Sequence, residues 1–406
     1  MLHVSDGSEQ VESQAKGTFV QGLALVSTAW LAVTATSLIA PVLPRMAEAF
    51  KDVPHSADTI QILVALPALV VALFSGVCGL LVDRLGRKSF LLVGLLLYAA
   101  AGLAPTWLTD LHLIIASRVL VGVAESIIMT SGTTLLSDFF PGPSRARWFA
   151  VQTGSATLMS VVFVALGGML GEFGWRAPFY FYALPLVLFP LILLLIKEPA
   201  RTVVTTAKSP VTWSSLIVPI LATLFGAICF YVVVIQISFI LTRNGVTSTS
   251  QIGLGSAIAA AAVAVGSVLF RLLGAASTAV KLAISFALSA AGFYYLSQAH
   301  DFQGIVIGAA INSLGGGLAL PTLLTWAATR LGKAHTGKAV GAWNTAFFLG
   351  QFLSPISVIV ITTKSGGTSN MLLGFAIACA VALLMAVVGA VVSAQKSGSA
   401  ATLPES

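Results

Sequence analysis

Twelve stretches of about 20 or more largely apolar residues run through this chain, and they constrain its fold more than any motif does. A helix rises about 1.5 Å per residue and a bilayer core is about 30 Å thick, so each stretch is long enough to cross one. In lipid every backbone N–H and C=O must be satisfied within the protein, which leaves helices or closed barrels, and runs this long favour helices. Of the 406 residues 57% are hydrophobic and 9% charged, where a soluble domain has about 25% charged. The expected fold class is an all-α membrane protein with twelve transmembrane helices. The first run is too long for a signal-peptide core and has no evident cleavage site, so it is expected to remain as a helix after the acidic tail of Asp6, Glu9 and Glu12.

A formal charge of +7 raises the question of nucleic acid. The 21 Lys and Arg do not form one patch, however; they sort by loop. With both termini on one side, that side holds most of them, including Lys16, Arg84, Arg145, Arg201, Lys208 and Lys333. Only Arg45, Lys51, Arg176, Arg243 and Lys364 fall on the other. The positive-inside rule then places both termini in the cytoplasm, with the chain in the cell's inner membrane and no nucleic-acid partner. Cys78, Cys229 and Cys379 are far apart in sequence and lack disulfide or metal-ligand spacing, so they are expected to be packing residues.

The longest polar connection, "KEPARTVVTTAKSPVTW", divides the chain evenly. The expected organisation is an N-terminal tail (1–17), a first six-helix bundle (18–197), a linker (198–213), a second six-helix bundle (214–393) and a C-terminal tail (394–406). Many secondary transporters rock two such halves about a site near mid-membrane.

In the loop after the second run, Gly79, Leu81, Asp83, Arg84, Gly86, Arg87 and Lys88 spell Gly-x-Leu-x-Asp-Arg-x-Gly-Arg-Lys. This resembles the signature of the major facilitator superfamily and matches it at every position. The resemblance implies two pseudo-symmetric six-helix bundles. It also implies a cytoplasmic latch built from Gly79, Asp83, Arg84, Gly86 and Arg87, closed in the outward-open state. A small Gly79 would let the second helix approach a neighbour, and Asp83 would pair with a cation across the bundle interface.

The fourth run contains "RVLVGVAESIIMT", in which Arg118 and Glu125 interrupt otherwise apolar or small residues. Seven residues is nearly two turns, so both lie on one face. Ionisable groups at such depth are candidate functional residues, for substrate or for proton coupling. Burial opposes a carboxyl's charged form and a nearby guanidinium favours it. Glu125 is therefore expected to alternate between binding a proton and pairing with Arg118; the alternative is a structural brace. Arg118 and Gly122 are similar to the Arg-x-x-x-Gly core of the superfamily's proton-coupled exporters. Glu125 departs from that pattern, and "RVLVGVAES" is also similar to organic-anion symporters and Spinster-type lipid transporters. In helix five Gly167 and Gly168 follow Phe163 and Val164, so the Gly-Pro of antiporter-type members is absent.

In the second half, "NSLGGGLALPT" and "WNTAFFLGQFLSP" combine amides with Gly and Pro, and the latter resembles helix eleven of drug-efflux-like members. Pro321 and Pro355 free backbone carbonyls that neighbours or a cavity must satisfy. Asn344 and Gln351, with Gln236 and Asn312, are the expected cavity residues; interhelical hydrogen bonding is the alternative for each. The five histidines lie in tails or near span ends, and no Walker loop, HExxH or nucleophile elbow occurs. No enzyme activity, cofactor or metal is expected.

The leading expectation is proton-coupled efflux of a small organic compound by alternating access, with substrate, protons and membrane lipid as partners and a monomer as the working unit. The second is proton-coupled uptake of an organic anion, with Arg118 holding its carboxylate. A third, from another class, is a membrane ligand sensor that does not transport.

Overall fold

A computed structural model of the chain describes residues 17–199, 213–331 and 335–400, and among these all regular structure is helical. Among the described residues twelve helical spans are long and apolar enough to cross a membrane. They are α1 (the broken span Phe19–Ala49), α2 (Ser56–Leu85), α3 (Arg87–Leu103), α4 (Leu111–Phe139), α5 (Pro143–Gly171) and α6 (Leu184–Leu195, extended to a 19-residue span by the tighter helix Ala177–Ala183). The second half supplies α7 (Ile217–Arg243), α8 (Thr249–Leu272), α9 (Thr278–Gln298), α10 (Phe302–Arg330), α11 (Thr336–Ser365) and α12 (Thr368–Ala400). The protein is a multi-pass membrane protein. The last helix continues into residues expected to be tail, whereas the 1–16 tail and residues 200–212 of the linker lie outside the described residues, as do Lys16, Arg201, Lys208 and Lys333.

Local chemistry explains how these helices begin and bend. Thr18 and Gln21 cap α1 reciprocally: the Thr18 hydroxyl accepts from the Gln21 backbone, and the Gln21 side chain accepts from the Thr18 backbone. Gln21 also donates to the Leu195 carbonyl at 2.8 Å, fastening α1 to the end of α6. Pro41 forces a tight turn at Ala40–Val42 in α1. Pro321 lacks the N–H that would bond the Gly317 carbonyl, and Ser267 of α8 donates there instead at 3.2 Å. Cys229 of α7 and Cys379 of α12, remote in sequence, bring their thiols to 3.7 Å; both are free and buried.

Within the first half α4 packs on α2 and α3; within the second, α10 packs on α8 and α9, and α9 on α12. The halves meet through α5 on α8 and α2 on α11. Glycine makes the first contact possible. A Cβ on Gly168 would lie 2.5 Å from the Thr249 carbonyl and 2.7 Å from the Gly253 Cα, so backbone meets backbone there. Gly17, the end of α4, the loop at Gly86 and Glu198 lie together at one end, the basic end. Arg45, Gly171 and Thr247 mark the other.

Candidate functional site

Between the halves lies a cavity of about 460 Å³. Toward the Arg45 end its walls are buried residues, among them Val164, Ile237, Ser256 and Gln351. Toward the basic end Thr133, Thr153 and Asn344 are exposed, so the cavity opens there. Its two sides differ in chemistry. From α1, α4 and α5 come Thr36, Thr133, Thr153, Thr157 and Ser160; from α7 and α11 come Phe230, Tyr231, Trp343, Phe347 and Phe348. The aromatic wall is continuous: Trp343 stacks on Phe347 at 5.3 Å between centroids, and Phe347 meets the Tyr231 edge at 5.6 Å.

Among the described residues Glu125 is the only charged one lining this cavity, and it is 4% exposed. Arg118 does not line it. Its guanidinium is 1% exposed and donates to the Tyr182 hydroxyl at 3.0 Å and to the carbonyls of Ala101 and Gly102 at 3.2 and 3.3 Å. The rings of Phe179 and Tyr182 lie 5.2 and 5.0 Å from it. The expected Arg118–Glu125 pairing is therefore absent in this conformation. Seven residues of helix span about 10 Å, and the carbonyls that hold Arg118 lie at its own depth. They need it: Pro105 has no N–H to offer the Ala101 carbonyl at the end of α3. The brace weighed as the alternative describes Arg118, while Glu125 alone faces the cavity.

The four expected cavity amides divide. Asn344 and Gln351 line the cavity, and Gln351 donates to the Thr36 hydroxyl of α1 at 3.0 Å, joining the halves. Gln236 and Asn312 do not line it. Gln236 donates to Gln61 of α2 at 2.5 Å, and Asn312 to the Ser289 carbonyl of α9 at 3.3 Å. Each side chain rotates toward an acceptor on a neighbouring helix, the interhelical alternative.

The latch residues are on their loop, and Arg87 and Lys88 are bonded to partners in the first half. Gly79 has nothing within 4 Å of where a Cβ would sit, so the expected close approach is missing; this end of the molecule is the open one. Arg87 forms an ion pair with Asp138 of α4, and its backbone N–H and that of Lys88 donate to Glu198 at 2.6 and 2.9 Å. Gly86 turns with φ +92°, a region that suits glycine. Arg84 is exposed, and the Asp83 side chain lies outside the described residues.

Sequence reasoning passed over the hydroxyl face of α5 and assigned no aromatic individually. Thr153, Thr157, Ser160 and Val164 recur at helical spacing, a signal present in the sequence. The aromatic wall carried no such signal, because one-dimensional order does not say which ring faces lipid.

Residues 25–355 match the Major Facilitator Superfamily. The quinolone resistance protein NorA of Staphylococcus aureus (strain Mu50 / ATCC 700699) is 27% identical over 204 residues, 48% of this chain and 52% of that protein. Multidrug resistance protein 2 of Bacillus subtilis (strain 168) is 30% identical over 158 residues, 39% of this chain and 38% of that protein. These matches thus span about half or less of the relatives' length. A bacterial homolog of the human lysosomal transporter Spinster, in an inward-facing and occupied conformation, superposes with a TM-score of 0.73 at 17% identity, covering 92% of this chain and 96% of that one. At that identity the likeness speaks for the fold. Twelve helices long enough to cross a membrane among the described residues, in two halves with a cavity between them, and a family match over most of the length point to a family of transporters and not of enzymes: the chain belongs to the major facilitator superfamily.

Proposed function

We propose that the protein exports small, largely apolar organic compounds, lipophilic cations foremost, in exchange for protons. The observation that carries this reading is that Glu125 is, among the described residues, the one charged residue in a cavity with an aromatic wall. A carboxylate that shares its cavity with Trp343, Phe347 and Tyr231 offers a cation both a counter-charge and ring faces. The same carboxylate can hold a proton or neutralise a cation but not both, which makes binding of the two mutually exclusive. The names of NorA and multidrug resistance protein 2 support export. With the basic loops in the cytoplasm, both termini would be there too, and the cavity would open inward to receive cytoplasmic substrate in an inner-membrane monomer.

The anion-symport alternative needs Arg118 to hold a carboxylate, and Arg118 is withdrawn from the cavity and already bonded. The deciding experiment uses proteoliposomes loaded with a fluorescent lipophilic cation. Export reads as cation movement against an imposed proton gradient, lost in Glu125→Gln. Co-uptake of organic acids with protons, abolished by Arg118→Ala in a protein that still folds, would replace export with symport. Absence of counterflow of labelled cation, with binding retained, would leave the sensor.

A further inference from the structure

At the closed end a carboxylate from one half completes a helix of the other. Glu172 follows the last residue of α5, and its Oε1 accepts from the backbone N–H of Ser250 at 2.8 Å and from the Ser248 hydroxyl at 2.7 Å. Ser250 lies in the first turn of α8, where backbone N–H groups have no intrahelical acceptor and the helix dipole favours negative charge. Ser248 is the N-cap of the same helix and uses its oxygen for the Gln251 N–H at 3.3 Å. Two caps therefore serve α8, one from its own chain segment and one from the opposite half.

Arg45, from α1, treats the facing helix end in the complementary way. It donates to the Gly171 carbonyl at 2.5 Å, where α5 ends, to Glu172 Oε2 at 2.9 Å and to the Thr247 carbonyl at 3.3 Å. A cation thus sits at the C-terminus of α5 and an anion at the N-terminus of α8, each at the helix end that suits its charge. Immediately beneath, Gly168 and Gly253 touch backbone to backbone, and a Cβ on Gly171 would lie 2.9 Å from the Thr249 hydroxyl oxygen. That contact forms only when the two helix ends are held in register.

We infer that Glu172 locks the closed mouth of the cavity by capping α8 from the other half, with Arg45 as its auxiliary. To open this end, α5 must leave α8, and the Ser250 N–H in the first turn of α8 then loses its acceptor. The three partners, the Ser250 N–H first, then the Ser248 hydroxyl and Arg45, hold the Glu172 carboxyl down to about 2, so it stays charged at physiological pH. This inference rests on alternating access alone and not on the direction, substrate or proton coupling proposed above.

The test reads opening without transport. Thr249 is fully buried at this contact, and Thr249→Cys places a thiol there in a chain carrying Cys78→Ala, Cys229→Ala and Cys379→Ala. Its maleimide alkylation rate in detergent reports how often the mouth opens. Glu172→Ala should raise that rate several-fold, Ser248→Ala and Arg45→Gln less, and Glu48→Gln, whose residue pairs with Lys51 on the surface, not at all. Exchanging the charges, Arg45→Glu with Glu172→Arg, should not restore slow labelling, because a cation would then face the α8 N-terminus. Parent-like rates in both Glu172→Ala and Ser248→Ala, with the protein folded, would overturn the inference. So would full recovery in the exchanged pair, which would reduce the cluster to an ordinary ion pair.

Discussion

Arg118 and Glu125 share a helix face but serve different tasks, and their substitutions should separate. Arg118 closes the carbonyl left by Pro105 and packs against the rings of Phe179 and Tyr182. Arg118→Ala is therefore expected to cost about 3 kcal/mol, on the order of one charge-assisted bond plus an unsatisfied buried acceptor, seen as a lower melting temperature in detergent. Arg118→Lys should recover little, since one ammonium cannot reproduce the planar fork. Glu125→Gln should leave the melting temperature at or above that of the parent, because it removes a buried charge with no ion-pair partner among the described residues. It should instead abolish stabilisation by a lipophilic cation, measured as the melting shift on ligand addition. A large loss of stability in Glu125→Gln would mean that the carboxylate is structural.

At the scale of elements, close approach is concentrated where glycine lines a contact. Gly122 lets α4 lie on α2 at Pro67: a Cβ there would come 2.8 Å from the Pro67 carbonyl oxygen. Gly122→Ala should accordingly destabilise by about 1–3 kcal/mol, as overpacking does. Gly79 offers the opposite case. Nothing meets its Cβ position in this conformation, so Gly79→Ala should be stabilising here by about 0.5–1 kcal/mol through helix propensity. Transport should still fall if the latch closes on Gly79 in the other state. Thermal unfolding and a transport assay on the same variant check both halves of that expectation. The polar face of α5 was legible from spacing, as were the twelve helices. The roles of Gln236 and Asn312 were not, because an amide in a helix looks the same whether it faces a cavity or an acceptor on the next helix.

For the whole molecule, the closed mouth and the cavity should respond differently to pH. The Glu172 carboxyl is lowered from 4.5 to about 2, so its contribution to closure is present above its ordinary value and is lost only as pH falls through the lowered one. Alkylation of Thr249→Cys should therefore show no pH dependence from closure between about pH 5 and 8, once corrected for thiolate fraction with an unfolded control. Proton-dependent transport over the same range should vanish in Glu125→Gln. A mouth that loosens at pH 5 would place a proton-sensitive group at the closed end. Added salt should speed labelling modestly, since the Arg45 and Glu172 side chains are 35% and 36% exposed and so partly screened.

The sequence by itself determined the solvent, the number of crossings and the family. Those follow from the length of apolar runs and from a loop whose Gly, Asp and Arg stand at fixed spacing, all local properties of the chain. It also marked Arg118 and Glu125, since charge in an apolar helix is conspicuous without any structure. Only the tertiary structure decided that they do not pair in this conformation, that aromatic rings from α7 and α11 line the same cavity as Glu125, and that Glu172 caps α8. Each of those depends on which neighbouring helix offers an acceptor or a ring at a given depth. That is set by packing between segments far apart in the chain, and no periodicity records it.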